Sequence, residues 1–465
     1  MTSAHTTETR RRPGRGVEGA GRTVVTAWQA ALPAGDAIDP WILAGGDDAL
    51  LMAEGGRVLV GVGTAVRLEL PGGLDDTDAV ARATRGLAAV DCDDRLAAGT
   101  TPFRAVLALG ALPFDRRRPG ALVVPSTLYC REPDGSEWVT VVTDDGGHAD
   151  PDPVQVRADL AARSRRGPAG PGPTAWRITP RDGDTGFEER VSEAVAAIGR
   201  GEVAKVVLSR RVDVTADQVP DVGDLLRRWG ALEPSCTLFS VPTPDGRFVG
   251  ASPELLVERH GTTVTSRPLA GTTDRDHQAG STLPPALLES AKDAEEHRLV
   301  VEAIREALLP WSERLEVPEH PELVHLHNIT HLGTSIGGTL RRRPDGTAPS
   351  ALALVALLHP TPAVGGVPRS AALDLIARLE EGPRGPYAGA VGWVDGAGDG
   401  RFVVGIRAMT VVGATATLSA GVGIVSGSRP DVERRETDLK FTAVFDALAP
   451  GVPFDAVPPP TSVTD

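Results

Sequence analysis

The chain alternates short apolar runs with polar turns, and only a few stretches carry helical spacing. Between Val24 and about Val142 the apolar runs are short and end at Gly or Pro, as in Val58–Val62 and Ala121–Val124, which predicts strands. Helical spacing appears at Phe187–Arg200, through Val191, Ala194, Val195 and Ile198, with Gly201 placed as a capping glycine. Val203–Val214 predicts a strand. Phe248–Glu258 and Thr262–Ser266, joined by His260 and Gly261, predict a hairpin. Pro285–Leu309 predicts one long helix, and Ala351–Leu358 is an apolar segment stopped by Pro360 and Pro362. Three consecutive strands are predicted at Gly389–Val394, Phe402–Val412 and Thr415–Gly423, then a final helix opened by Pro430. Hairpins with isolated helices, and no internal repeat, indicate an α+β fold with large antiparallel sheets rather than alternating βαβ units.

Composition narrows the function classes. At 465 residues the chain amounts to about three domain equivalents of roughly 150 residues, or one large body with an appendage. Aromatic residues are 4%, so the core must rest on Ala, Val and Leu. With 48 Lys and Arg against 62 Asp and Glu, the net charge is -14. That balance disfavours nucleic-acid and anionic-membrane binding, and an anionic ligand would have to be held by local groups. Cys92, Cys130 and Cys236 are too few and too scattered for a disulfide framework, which fits a reducing, cytoplasmic setting. No run of 18 apolar residues predicts a membrane span. The Arg-rich start (residues 1–22) and the end (residues 451–465) read as disordered tails. Arg163–Thr174 is dense in Pro and Gly, which makes residues 163–176 a linker between an amino-terminal part (23–162) and a core (177–450).

Several polar residues fall where a plain core would not put them. In the Pro285–Leu309 segment, Glu296, Val300, Ala303 and Ala307 form one stripe, with Asp293 stacked one turn before Glu296. In the final helix the stripe is Val432, Glu436, Leu439 and Ala443, with Glu433 three residues before Glu436. Two inward acidic pairs suit a hard divalent cation such as Mg²⁺; solvated faces carrying Glu/Lys pairs, with Lys292, Arg298 and Lys440 nearby, are the plainer reading. Lys205 lies inside an apolar strand. It either faces solvent or is enclosed, and enclosure would lower its pKa towards that of a usable base. Glu254 follows Ser252-Pro253 at the head of an apolar run, either as a turn carboxylate in water or as a buried acid. His325, His327 and His331 could form a metal cluster but lack an obvious fixed geometry. There is no phosphate-binding GxxxxGK[ST] motif, and Gly421 to Gly427 misses the dinucleotide spacing by one residue.

Nine ordered segments together resemble the chorismate-utilising enzyme family, from about Phe187 to Leu448. They are Lys205-Val-Val-Leu-Ser-Arg210, Gly250-Ala-Ser-Pro-Glu254-Leu-Leu, Arg267-Pro-Leu-Ala-Gly-Thr272 and Lys292-Asp-Ala-Glu-Glu296-His297. Next come His331-Leu-Gly-Thr-Ser335, His359-Pro-Thr-Pro-Ala363, Tyr387-Ala-Gly-Ala-Val-Gly-Trp393 and Phe402-Val-Val-Gly-Ile-Arg407. The ninth runs from Ala420-Gly421-Val-Gly423 to Glu433-Arg-Arg-Glu436. The resemblance implies an α/β sandwich of two large antiparallel sheets flanked by helices. Within the family the chain is most similar to isochorismate synthases: Lys205 stands where aminating relatives carry Gln, Ala363 where anthranilate and salicylate synthases tend to carry Thr, and Gly110–Asp115 with Val124-Pro125 resembles the segment before the core.

The resemblance implies a magnesium-dependent isomerisation of chorismate to isochorismate. Mg²⁺ would be held by Glu296 and Glu436, with Asp293 and Glu433 nearby through waters, and would bind the ring carboxylate. Lys205 would activate the water that attacks C2, and protonated Glu254 would give a proton to the departing C4 hydroxyl. Arg407, Tyr387 and the backbone at Gly421 and Gly423 would hold carboxylates; Thr272, His331 and Ala363 would line the ring. The product would feed siderophore or menaquinone synthesis, and the enzyme would be a monomer. A salicylate synthase, an aminating synthase and a non-catalytic metal- or metabolite-binding protein are the rival readings. Thr273, where Arg is common, and Ala291, where Glu is frequent, depart from the family pattern.

Overall fold

The computed structural model describes residues 26–96, 106–143, 151–165, 172–181, 186–274 and 285–454. Two large sheets pack face to face. Among the described residues the larger holds thirteen strands and the smaller nine, with a separate three-stranded sheet at Leu269–Asp274, Ile329–Gly333 and Glu322–His325. Among the described residues, pairing is antiparallel apart from the parallel edge pair Thr26–Ala31 and Asp91–Asp94. Leu50, Met52 and Phe239 of the larger sheet meet Leu107, Val391 and Val403 of the smaller one in the middle of the sandwich. On its outer side the larger sheet buries helices Val222–Leu232 and Pro430–Leu448; Thr77–Ala88 and Ala351–Leu358 cover the smaller. Few of these buried side chains are aromatic, as the composition requires.

The amino-terminal strands are woven into the same sheets as the rest. Ala49–Glu54 pairs with Thr237–Thr243, and Leu107–Leu112 pairs with Ala390–Asp395. Of the predicted linker, residues 166–171 lie outside the described residues. Its two ends are structured: Arg163 closes helix Pro153–Arg163, Ser164 is buried, and Trp176 begins a strand paired to Lys205–Ala216. Residues 1–25 and 455–465 lie outside the described residues, but Val452 and Phe454 are not tail. They pack on the outer core, with the Phe454 ring stacked on Phe441.

Two predicted strands each split into two. Phe248–Glu258 becomes Gly246–Ser252 in the larger sheet and Leu255–His260 in the smaller, with Pro253 and Glu254 at the crossing; only Leu255–His260 forms the hairpin, with Thr263–Arg267. Phe402–Val412 becomes Gly400–Val404 in the smaller sheet and Ala408–Val412 in the larger, crossing through Gly405–Arg407. The crossings lie side by side: Val404 N–H donates to Glu254 O at 3.0 Å, Ala251 N–H to Arg407 O at 3.1 Å, and Ser252 Oγ to Val404 O at 2.6 Å. Continuous apolar patterning hid both breaks, because each strand keeps a buried face on either side of its crossing.

The long helix is also two. Ser290 caps Ala291–Leu308 by accepting from Asp293 N–H at 3.2 Å, and Pro285–Glu289 stands before it. Its buried stripe is Glu296, His297, Val300, Ile304 and Leu308; Ala303 and Ala307 are only half-buried. In Pro430–Leu448 the buried side is Glu433, Thr437, Lys440, Phe441 and Val444, whereas Val432 is exposed. Both stripes therefore sit slightly rotated from the predicted ones, yet both still carry acids inward. Among the described residues no helix is long and apolar enough to cross a membrane.

Candidate active site

The first residues of strand Lys205–Ala216 are buried on both faces, which leaves Lys205 no route to solvent. The enclosed alternative therefore holds for this lysine. Its Nζ lies 3.0 Å from Glu296 Oε1, and among the described residues it has no hydrogen-bond partner of good geometry. Neighbouring strand Thr415–Ile424 runs alongside, placing Gly423 opposite Val207. A Cβ at Gly423 would stand 2.0 Å from Glu296 Oε1 and 3.0 Å from Lys205 Cε, so the ion pair occupies the space a side chain would take.

Glu254 is the second enclosed group. It is 3% exposed, sits at the sheet crossing, and receives the Leu269 N–H. Burial pushes its pKa up to about 8, against the opposing pull of Lys205 and Arg407. At neutral pH this carboxyl carries its proton. The other crossing presents Arg407, which holds an unusual positive φ of 50°. Arg407 Nη2 lies 2.8 Å from His331 Nε2. A guanidinium only donates, so Nε2 accepts and the ring proton sits on Nδ1, facing Gly271 O at 3.1 Å and Thr272 Oγ1 at 3.0 Å. Burial and the nearby Arg407 hold His331 well below the usual histidine range, in agreement with a neutral ring.

These groups meet around a small cavity of about 50 Å³, partly open to solvent. Its wall includes Glu254, Thr272, Glu296, His331, Ala363, Tyr387, Arg407, Gly421, Gly423 and Glu436. Lys205 lies behind Glu296 rather than on the wall, and Asp293 and Glu433 also stand back from it. Tyr387 is buried, which pushes its phenol up to about 12, and its Oη packs close enough to Gly421 that a Cβ there would be 3.0 Å away. A larger open groove borders this cavity at Tyr387, the one predicted site residue it touches, and runs on past Thr415, Thr417 and Ser419. The smaller cavity is where the chemistry converges.

Lysines complete the site, one of them through a contact between helices that sequence spacing does not show. Lys440 Nζ bridges Glu436 Oε1 at 2.6 Å and Gly421 O at 2.8 Å, and Lys292 Nζ reaches across to Glu433 Oε1 at 2.6 Å. The Glu/Lys pairing of the plainer reading is thus real, but it is buried and partly between helices. The spacing of Lys440 from Glu436 was a usable signal; the Lys292 contact to another helix was not. Beside Glu296, His297 Nε2 lies 2.7 Å from Thr334 Oγ1, a buried pair that helical spacing alone did not single out. The histidine cluster does not assemble. His331 faces the cavity, His325 is exposed with Nδ1 3.1 Å from Thr330 Oγ1, and the backbone of His327 donates to Glu233.

As placed, no three His, Cys, Asp or Glu side chains among the described residues converge to chelate an ion. The acidic set nevertheless suits a hard divalent cation. Burial and the neighbouring Glu296 and Glu436 carboxylates raise Asp293; burial, with Glu436 beside it, raises Glu433 despite Lys292. Burial acts to raise Glu436 as well, but Lys440 and Lys292 hold it below the usual carboxylate range. Four oxygen-donor groups that repel one another in one place are a donor set of the kind Mg²⁺ takes.

Comparison with known proteins now places the chain. It belongs to the family described as chorismate binding enzyme, whose sequence model matches residues 52–449. The match takes in most of the amino-terminal strands, well before the Phe187 boundary read from motifs. Within that family the chain most resembles isochorismate synthases. It is 41% identical over 381 residues, 78% of this chain and 92% of the relative, to a Mycobacterium tuberculosis protein provisionally named isochorismate synthase MenF. It is 36% identical over 350 residues, 73% of this chain and 80% of the relative, to isochorismate synthase EntC of Escherichia coli. The fold matches the menaquinone-specific isochorismate synthase MenF of Escherichia coli with a TM-score of 0.73, at 24% identity over 91% of this chain and 94% of that one.

Proposed function

We propose that the protein converts chorismate to isochorismate. The observation that carries this reading is Glu254, a carboxyl buried on the wall of a cavity shared with His331 and the Arg407 guanidinium, where burial raises its pKa. In this reading water adds at C2 of the ring and loses its proton to Lys205. The C4 hydroxyl departs as water after taking the proton of Glu254, and the ring double bonds shift between the two carbons. A general-base role requires a free amine, so Lys205 must shed its proton in the working complex, which leaves its contact to Glu296 as an N–H hydrogen bond in place of an ion pair. Arg407, oriented by His331 Nε2, and Tyr387 anchor the substrate carboxylates; Thr272, Ala363 and the close backbone at Gly421 and Gly423 shape the ring site.

Glu296 and Glu436 would hold Mg²⁺, with Asp293 and Glu433 behind them, and the bound ion would supply positive charge for the ring carboxylate. That local charge answers how a protein of net charge -14 takes up a dianion. Isochorismate made here would enter menaquinone or siderophore synthesis. Incubation with chorismate and Mg²⁺, followed by chromatography, tests the proposal. Isochorismate as the main product supports it. Salicylate with pyruvate, an amino product formed with ammonium, or no turnover of chorismate would each replace it with one of the rivals.

A further inference from the structure

Asp293, Glu296, Glu433 and Glu436 face three ammonium groups, on Lys205, Lys292 and Lys440. With all seven ionised, the cluster carries one net negative charge. Lys205 has a proposed catalytic task, and Lys440 also fixes the Gly421 carbonyl. Among the described residues, the direct side-chain contact of Lys292 is to Glu433. Its side chain is 27% exposed while Glu433 is fully buried, so it closes the cluster from the solvent side. It also ties the first turn of Ala291–Leu308 to the first turn of Pro430–Leu448.

We infer that Lys292 is a charge-balancing residue that keeps divalent-cation binding weak until a dianionic substrate is present, so that cation and substrate bind cooperatively. The inference rests on the proposed metal site. A divalent cation alone turns the cluster from one net negative to one net positive charge, in a partly dehydrated place where excess charge is costly. A dicarboxylate restores the resting balance. Without Lys292 the cation alone would neutralise the cluster, and the dianion would gain less from it. The ammonium of Lys292 also feels Glu436 and Glu296 beyond its direct partner, as such a role requires. Coupling of this kind is reciprocal: the cation must tighten substrate binding by the same factor.

The test is a calorimetric titration of the full chain with MgCl₂ alone, and again with chorismate present. Lys292→Met is expected to bind Mg²⁺ alone about tenfold more tightly than wild type. Lys292→Arg should behave like wild type, and chorismate should tighten Mg²⁺ binding more in wild type than in Lys292→Met. Lys292→Gln, which still donates a hydrogen bond to Glu433, gives the same expected tightening if the Met variant unfolds. Unchanged or weaker Mg²⁺ binding in these neutral variants, or equal tightening by chorismate, overturns the inference. Glu436→Ala separates the two levels: Mg²⁺ binding that persists there removes the metal site itself.

Discussion

Gly423→Ala adds a single methyl group at the point where the two charged partners of the site meet. The new Cβ would lie 2.0 Å from Glu296 Oε1, 2.7 Å from its Cδ and 3.0 Å from Lys205 Cε. The glycine is not in the left-handed region, so the backbone accepts alanine without strain. The obstructing atoms belong to the end of a flexible side chain. Glu296 therefore yields, its carboxylate moving by roughly an ångström to reach an ordinary contact distance, and a misplacement of that size in a catalytic constellation costs about 10²-fold in rate. That corresponds to about 2.7 kcal/mol of lost transition-state stabilisation. If Lys205 loses its ionic partner altogether, an uncompensated buried charge costs about 3–5 kcal/mol of stability. The assay is kcat/KM with chorismate, set beside Mg²⁺ affinity and urea denaturation. The expected result is a folded protein with kcat/KM down about 10²-fold and weakened Mg²⁺ binding. Wild-type turnover and Mg²⁺ affinity in a folded Gly423→Ala protein would refute both the placement of Glu296 and its proposed role.

Glu254→Gln is expected to lower kcat by about 10²–10⁴-fold. Wild-type activity should fall as pH rises through about 8, where the acid loses its proton, and that limb should be missing from the residual activity of the variant. The same raised pKa favours the folded state below the ordinary glutamate range and withdraws that advantage as pH climbs towards 8. Glu254→Gln should therefore gain most over wild type in denaturant melts at alkaline pH, and a gain confined to acid pH would contradict the burial argument. His331→Ala removes the acceptor that aims Arg407; KM should rise more than kcat falls, and the reverse split would assign His331 to the chemical step instead. EDTA should abolish turnover and Mg²⁺ should restore it, while Glu436→Ala should lose both turnover and Mg²⁺ dependence. Kinetics in Glu436→Ala that match wild type would remove the metal assignment.

Ordered motifs carried more of this site than periodicity did. Helical spacing turned both acidic stripes by a position or so, because alanines at 303 and 307 read as core when Ile304 and Leu308 hold the buried side. Lys205 could be placed in a strand but not on a face: a strand buried on both sides has no alternation to read. Glu254 and Arg407 were legible as residues but not as neighbours, since each stands at a crossing between sheets that an unbroken apolar run conceals. Pairings between distant helices, such as Lys292 with Glu433, leave no local trace at all. The sheets themselves were foreseen in class and direction; their strand order was not, because it depends on partners more than a hundred residues apart.

That interleaving bears on how the chain reaches its native state. Leu107–Leu112 waits for Ala390–Asp395, and Ala49–Glu54 waits for Thr237–Thr243. During synthesis, the first third of the polypeptide must leave the ribosome with bare strand edges and hold them open until most of its length has followed. Slow folding and a need for chaperone protection are the expected consequences of such long-range closure. A shortened form starting at residue 177 would not isolate a catalytic unit. It would expose those same edges permanently and aggregate.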